Sequence, residues 1–164
     1  MVYSSGIGDA NYKLDWSLEK PILETNVLAA TKIYGLAYNM FHEQGYGHLV
    51  GISSIASIRG NRHAPSYYAS KSFQASYLES LWMKGKRSKA TIVVTDIQPG
   101  FVDTPMALGK TFWMADVEKA SKQIYSAIKK KKRKAYITKR WRIIAIIIKV
   151  VPAKLLFKYS KSKS

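Results

Sequence analysis

The sequence predicts an α/β fold built on a parallel sheet, and three observations carry that expectation. Stretches with apolar residues at three- and four-residue steps alternate with short apolar runs, the pattern of helices that cross between strands. The run TIVVTDI at residues 91–97 is almost entirely β-branched, as suits a central strand covered on both faces. No internal repeat and no flexible linker interrupts the alternation, so residues 1–140 read as one domain and 141–164 as a tail of different composition.

Taken in order, residues 2–7 are the end of a strand running into a loop at Gly6 and Gly8. A helix over 19–42 places Ile22, Leu23, Val27, Ala30, Ile33, Tyr34, Ala37 and Phe41 on one side, and Gly45 and Gly47 end it. Residues 48–53, HLVGIS, form a short strand, and a loop rich in Ser, Gly, Asn and Pro follows over 54–66. A second helix covers 67–84 and ends in basic residues that complement its carboxyl end. The strand 91–97 stops at Pro99 and Gly100, and a loop or short helical lid leads to a helix over 116–130 that begins at Asp116 as cap. Residues 134–138 are one last strand.

Charge is distributed very unevenly. The formal net charge is +17, yet residues 1–118 hold all ten acids against eleven Lys and Arg, while residues 119–164 hold sixteen Lys and Arg and no acid. The body is therefore electrically ordinary, and the basicity belongs to the carboxyl-terminal part. Without a recognition motif or interleaved aromatics, nucleic acid is not an expected partner. There is no Cys, and His42, His48 and His63 are scattered, which excludes a thiolate metal centre and argues against any metal site. The first residues lack the pattern of a secretory signal, so the expected location is the cytoplasm.

Tyr67 and Lys71 stand four apart at a helix start, which puts both on one face. An ammonium ~4 Å from a phenol at an effective dielectric of ~20 is worth ~4 kcal/mol, enough to lower the phenol by up to ~3 pH units toward a range useful for proton transfer. A Tyr-x-x-x-Lys pair alone is common on helix surfaces. This one follows Ser54 at the end of one strand and precedes Pro99 and Gly100 at the end of the next, and strand ends are where ligands bind in open parallel sheets.

With Ser54 thirteen residues before Tyr67, and Tyr67-Tyr68-Ala69-Ser70-Lys71 fitting a Y-x-A-S-K motif, the chain resembles the short-chain dehydrogenase/reductase family from residue 3 to about residue 137. The resemblance implies the carboxyl-terminal part of a Rossmann-type doubly wound parallel sheet. It implies an NAD- or NADP-dependent oxidoreductase that moves hydride between the nicotinamide and a carbonyl or alcohol carbon. Tyr67 would carry the proton, Lys71 would tune it and hold the ribose, and Ser54 would orient the substrate oxygen. Asn26 would complete a proton relay, and Gly6, Asn26, Tyr67, Lys71, Pro99, Gly100, Val102 and Thr104 would meet the cofactor. Tyr68 is out of register with Lys71. Phe101, Met106, Leu108, Phe112 and Trp113 would form an apolar lid over an apolar small-molecule substrate, and the two long helices would mediate homo-oligomer contacts.

Two departures accompany the resemblance. Tyr3-Ser4-Ser5-Gly6 stands where the family has Asn-Asn-Ala-Gly, and no Gly-x-x-x-Gly-x-Gly phosphate loop occurs. The first three βα units, about 80–90 residues at ~30 per βαβ unit, would then be missing from the amino terminus, and the 164 residues alone are expected to be inactive. The tail adds the KKKKRK run at 129–134 and an apolar stretch over 143–157, too short for the ~20 residues of a membrane span. It suits either a membrane-surface helix over 141–158 on the inner face of an anionic bilayer or packing against protein. A non-enzymatic membrane- or partner-binding module is therefore the competing expectation.

Overall fold

The computed structural model describes residues 1–104 and 113–155. Four parallel strands, β1 (Val2–Tyr3), β2 (Tyr46–Ile52), β3 (Thr91–Pro99) and β4 (Lys134–Ile137), lie in the order β1-β2-β3-β4. Their register pairs Val2 with Val50, Val50 with Thr95 and Ile97 with Ala135. Every connection is therefore a crossover, and the helices fall on both faces, as the alternation in the sequence predicts.

The first crossover begins at Asp15, whose side chain caps α1 (Trp16–Leu23) by accepting from the Ser17 amide at 2.9 Å. The helix starts three residues before the expected boundary because that cap precedes the apolar pattern. Pro21 lies inside α1, and beyond it the chain winds as a π-helical turn over Glu24–Ala29 before continuing as α2 (Ala30–Glu43). Gly45 ends it with φ +85, a conformation glycine adopts without steric penalty.

After β2, a 3₁₀ turn over Ile55–Ile58 occupies part of the expected loop, and α3 (Pro65–Lys86) begins with Pro65 in its first turn. Beyond β3 come α4 (Val117–Lys129), capped by Asp116 as expected, β4, and α5 (Trp141–Val150).

Side-chain alternation along β2 and β3 divides the core in two. Leu49 and Val94 face Ala30, Tyr34, Ala37, Tyr38, Phe41, Leu78 and Leu81 of α2 and α3. Val50 and Ile97 face Ala120 and Ala127 of α4, with Ala135 and Ile137 of β4 alongside. Small residues set the spacing where helices approach most closely. A Cβ at Gly51 would lie 2.5 Å from Leu78 Cδ1 and 2.6 Å from Tyr34 Oη.

The tail resolves in favour of packing on its inner side. Trp141 and Ala145 of α5 are buried, and Arg59 donates to the carbonyls of Ile148 at 3.0 Å, Lys149 at 3.3 Å and Val151 at 2.5 Å, closing the helix end. The opposite side, Ile143, Ile146, Ile147 and Val150, is exposed. No helix among the described residues is long and apolar enough to cross a membrane. The lid expected at Met106, Leu108 and Phe112, and the tail beyond Leu155, lie outside the described residues.

Candidate active site

The site forms where β1, β2 and the amino-terminal half of α3 meet at the carboxyl ends of the strands. β2 ends at Ile52, and Ser54, in extended conformation, caps the 3₁₀ turn with its Oγ accepting from the Ala56 amide at 3.1 Å. Tyr67 lies in the first turns of α3, its phenol beside the Ser54 side chain. Lys71, one turn further, is 5% exposed. Its Nζ donates to the Ile52 carbonyl at 3.2 Å and to Gln74 Oε1 at 3.1 Å, and stands 5.9 Å from the Tyr67 ring centroid.

Asn26 reaches the same place from the π-helical turn. Its Oδ1 accepts from the Ile7 amide at 3.0 Å, and its Nδ2 donates to the Ile7 carbonyl at 2.7 Å and to Ser70 Oγ at 2.9 Å. Ser70 in turn donates to the Tyr67 carbonyl at 2.7 Å. One carboxamide thus ties the loop after β1 to α3. Gly6 lies over this junction, since a Cβ there would be 2.9 Å from Lys71 Nζ and 3.4 Å from Asn26 Oδ1. At Gly8 a Cβ would overlap the Tyr67 ring, so that glycine permits the loop's close approach.

The electrostatics correct one expectation. Burial pushes the Tyr67 phenol above its ordinary value, and the neighbouring Ser54 side chain only partly offsets this. Lys71 does not lower the phenol here, because its ammonium is directed at Ile52 and Gln74 and is itself desolvated. Burial pushes Lys71 down to about 8 from 10.5, against the opposing influence of the Asp96 carboxylate. Both groups are thus destabilised in their charged forms.

Asp96 is a component that the sequence reading did not single out. It is buried on the α3 side of β3, accepting from Ser53 Oγ at 2.5 Å and from Gln98 Nε2 at 2.6 Å, with Lys134 Nζ at 3.9 Å. Burial raises its carboxyl, while the Ser53 bond and Lys134 act against that. The available signal was a carboxylate inside the otherwise apolar TIVVTDI run. Gln74, three residues beyond Lys71 on the same helical face, was likewise visible but not used.

Pro99, Gly100, Val102 and Thr104 stand at the end of the neighbouring strand, with contacts of their own. Gly100 packs against the Trp141 indole, Val102 bridges to Ala115, and the exposed Thr104 donates to the Val102 carbonyl at 3.4 Å. Phe101 and Trp113 meet Trp141 edge-on, with centroids 5.4 and 6.5 Å away, forming an aromatic wall. Among the described residues no group of His, Asp or Glu could hold a metal ion.

A parallel sheet wound on both faces, with Ser54, Tyr67 and Lys71 gathered at the carboxyl ends of its strands, defines a Rossmann-type α/β protein. Residues 1–115 match the family described as short chain dehydrogenase, and the chain belongs to that family. It is 33% identical over 116 residues to an uncharacterized oxidoreductase of Myxococcus xanthus, covering 70% of this chain and 45% of that protein. Over 145 residues it is 30% identical to an uncharacterized oxidoreductase of Mycobacterium tuberculosis, covering 86% of this chain and 56% of the other. The chain therefore spans about half the length of the curated relatives it matches. Among solved structures, a short chain dehydrogenase from Burkholderia cenocepacia, in complex with NADP, superposes with a TM-score of 0.80 at 16% identity, covering 99% of this chain and 70% of that one. That likeness establishes the shared fold.

Proposed function

We propose that this chain carries the catalytic half of an oxidoreductase that interconverts a carbonyl and an alcohol with NAD or NADP. The observation that carries the reading is the approach of the Tyr67 phenol to the Ser54 side chain, with Lys71 buried one turn along the same helix at the strand ends. At Gly6 the missing Cβ lets Lys71 Nζ and Asn26 Oδ1 come up against the backbone at the edge where the cofactor would lie. A nicotinamide bound there supplies or accepts the hydride. Gly6, Asn26, Tyr67 and Lys71 would hold the cofactor, together with Pro99, Gly100, Val102 and Thr104.

Tyr67 Oη gives its proton to the substrate oxygen in reduction and takes it back in oxidation. Ser54 Oγ holds that oxygen in line with the phenol. Lys71, with a proton affinity near neutrality, resupplies the proton. Phe101, Trp113 and Trp141 offer an apolar wall, which favours an apolar small-molecule substrate over a charged one. Homo-oligomer formation through the long helices is supported by the exposed Leu28, Leu36 and Met40 on the helix that spans the π-helical turn.

The test is a fluorescence titration of the reduced nicotinamide cofactor with the chain alone and with the chain joined to a preceding Gly-x-x-x-Gly-x-Gly strand-loop segment. Saturable binding and carbonyl reduction in the joined protein support the reading, with the 164 residues alone inactive. Absence of both in the joined protein refutes it.

A second reading rests on the outward side of α5. Ile143, Ile146, Ile147 and Val150 are each more than half exposed, and Arg142 and Lys149 flank them in a region without a single acid. On this reading the chain is a peripheral module on the inner face of an anionic membrane and turns nothing over. Co-sedimentation with phosphatidylcholine vesicles, with and without phosphatidylserine, decides it. Binding that needs phosphatidylserine and is lost in Ile146→Glu supports it, and no binding to either vesicle rejects it.

A further inference from the structure

We propose that Gln74 is a positioning residue of this site, a side-chain bridge that joins the Lys71 ammonium to the backbone carbonyl of Asn26. The proposal rests on the functional reading above only for the importance of Lys71, and the bridge itself is a matter of geometry. Gln74 is fully buried. Its Oε1 accepts from Lys71 Nζ at 3.1 Å, and its Nε2 donates to the Asn26 carbonyl at 2.9 Å. A carboxamide carries both an acceptor and a donor at separate atoms, so it can serve an ammonium at one end and a carbonyl at the other without burying a net charge. Methionine would offer neither, and glutamate would offer no donor when ionised.

Each end of the bridge has a structural origin. Gln74 follows Lys71 by three residues on α3, so the two side chains leave the helix on one face. Asn26 belongs to the π-helical turn, where the winding is wider than that of the α-helices on either side and its carbonyl is turned toward α3. The Asn26 side chain is already engaged by Ile7 and Ser70. Its link to Lys71 therefore runs through the backbone carbonyl and Gln74. With the Ile52 carbonyl as second acceptor, the bridge fixes Lys71 Nζ beneath Gly6, 5.9 Å from the Tyr67 ring centroid.

Few other charges act on Lys71. On its own helix there is Tyr67, and on β3 there is Asp96, screened by Lys134 and Arg133. The elements that carry Gly6 and Asn26 contribute no charge at the junction. Gln74 is thus the acceptor whose replacement changes the proton affinity of Lys71 most directly.

The experiment is an NMR titration of the full chain labelled with ¹³C at lysine Cε, with the Lys71 resonance assigned by its loss in Lys71→Met. It is run on the unaltered chain, Gln74→Met and Gln74→Glu, each checked for a cooperative thermal transition. The bridge predicts a Lys71 midpoint about tenfold lower in proton affinity, one pH unit, in Gln74→Met, and one at least as far above the unaltered value in Gln74→Glu. Coincident midpoints in the unaltered chain and Gln74→Met overturn the proposal. Should Gln74→Met fail to fold, a Gln74→Glu midpoint that does not rise overturns it equally. Because no turnover or cofactor is involved, loss of the oxidoreductase reading would leave this outcome intact, and the reverse also holds.

Discussion

Replacing Lys71 by Met should change how stability depends on pH more than it changes stability itself. Lys71 sits at about 8 in the folded chain against 10.5 for an unhindered lysine. At 1.36 kcal/mol per pH unit, that difference corresponds to ~3.4 kcal/mol by which the folded state disfavours the ammonium. The side chain is 5% exposed, so solvent screening gives little reason to reduce the figure.

The sign follows from proton counts. Between pH 8 and 10.5 the unfolded chain keeps a proton that the folded chain has released, so unfolding becomes harder as pH rises through that window. Below pH 8 the destabilisation is fully present. From pH 7 to pH 10 the unaltered chain should gain ~2.5 kcal/mol relative to Lys71→Met. The Ile52 carbonyl and Gln74 Oε1, left without their donor in the variant, cost about 1–3 kcal/mol each, but that loss does not vary with pH and drops out of the comparison. Tyr67, whose raised phenol acts in the opposite direction, is present in both proteins and drops out of the comparison. Urea unfolding followed by tryptophan fluorescence at half-unit pH steps measures it. Parallel stability curves for the two proteins over this range would refute the burial argument for Lys71.

Tyr67→Phe should abolish carbonyl reduction in a cofactor-competent form of the protein while leaving cofactor affinity nearly unchanged, and Tyr68→Phe, whose hydroxyl faces Asn61, should be mild; steady-state kinetics on both variants would expose an inverted register. Gly100→Ala places a methyl group into the Trp141 indole and should cost about 1–3 kcal/mol, seen as a lower thermal midpoint, and an unchanged midpoint would mean that α5 yields without strain. Arg59→Met removes three hydrogen bonds from the end of α5 and should weaken that helix by about 1–2 kcal/mol. Faster amide exchange confined to residues 141–150 is its expected signature, whereas uniform acceleration would assign Arg59 a global role.

Much of this architecture was legible because strands and helices repeat with different periods. The β-branched run 91–97 lies within β3, and the cap at Asp116 marks the start of α4. Ser54, Tyr67, Lys71 and Asn26 were read from motif spacing, and the structure sets Lys71 and Asn26 against Gly6 and Tyr67 against Gly8. The spacing could not give the direction of the Lys71 ammonium. That depends on acceptors at Ile52 and Gln74, one on another strand and the other on the same helix, and the choice between them and Tyr67 is made by burial. The π-helical turn was also hidden, because hydrophobic periodicity over 19–42 reads as one uninterrupted helix and a single widened turn shifts the apolar stripe too little to notice. The inner contacts of α5 escaped because Trp141 meets Gly100 and the end of the helix meets Arg59, both far away in sequence.

The widened turn at Glu24–Ala29 makes one part of this site a matter of residue number rather than residue type. Asn26 can be exchanged for another amino acid and the carbonyl that Gln74 holds will still be there. Deleting one exposed neighbour such as Leu28 instead lets the segment close into ordinary α winding, with the carbonyl drawn back along the helix axis and away from α3. A loss of three nucleotides could thus straighten a helix, leave every named side chain of the site in the sequence, and still free the far end of the Gln74 bridge.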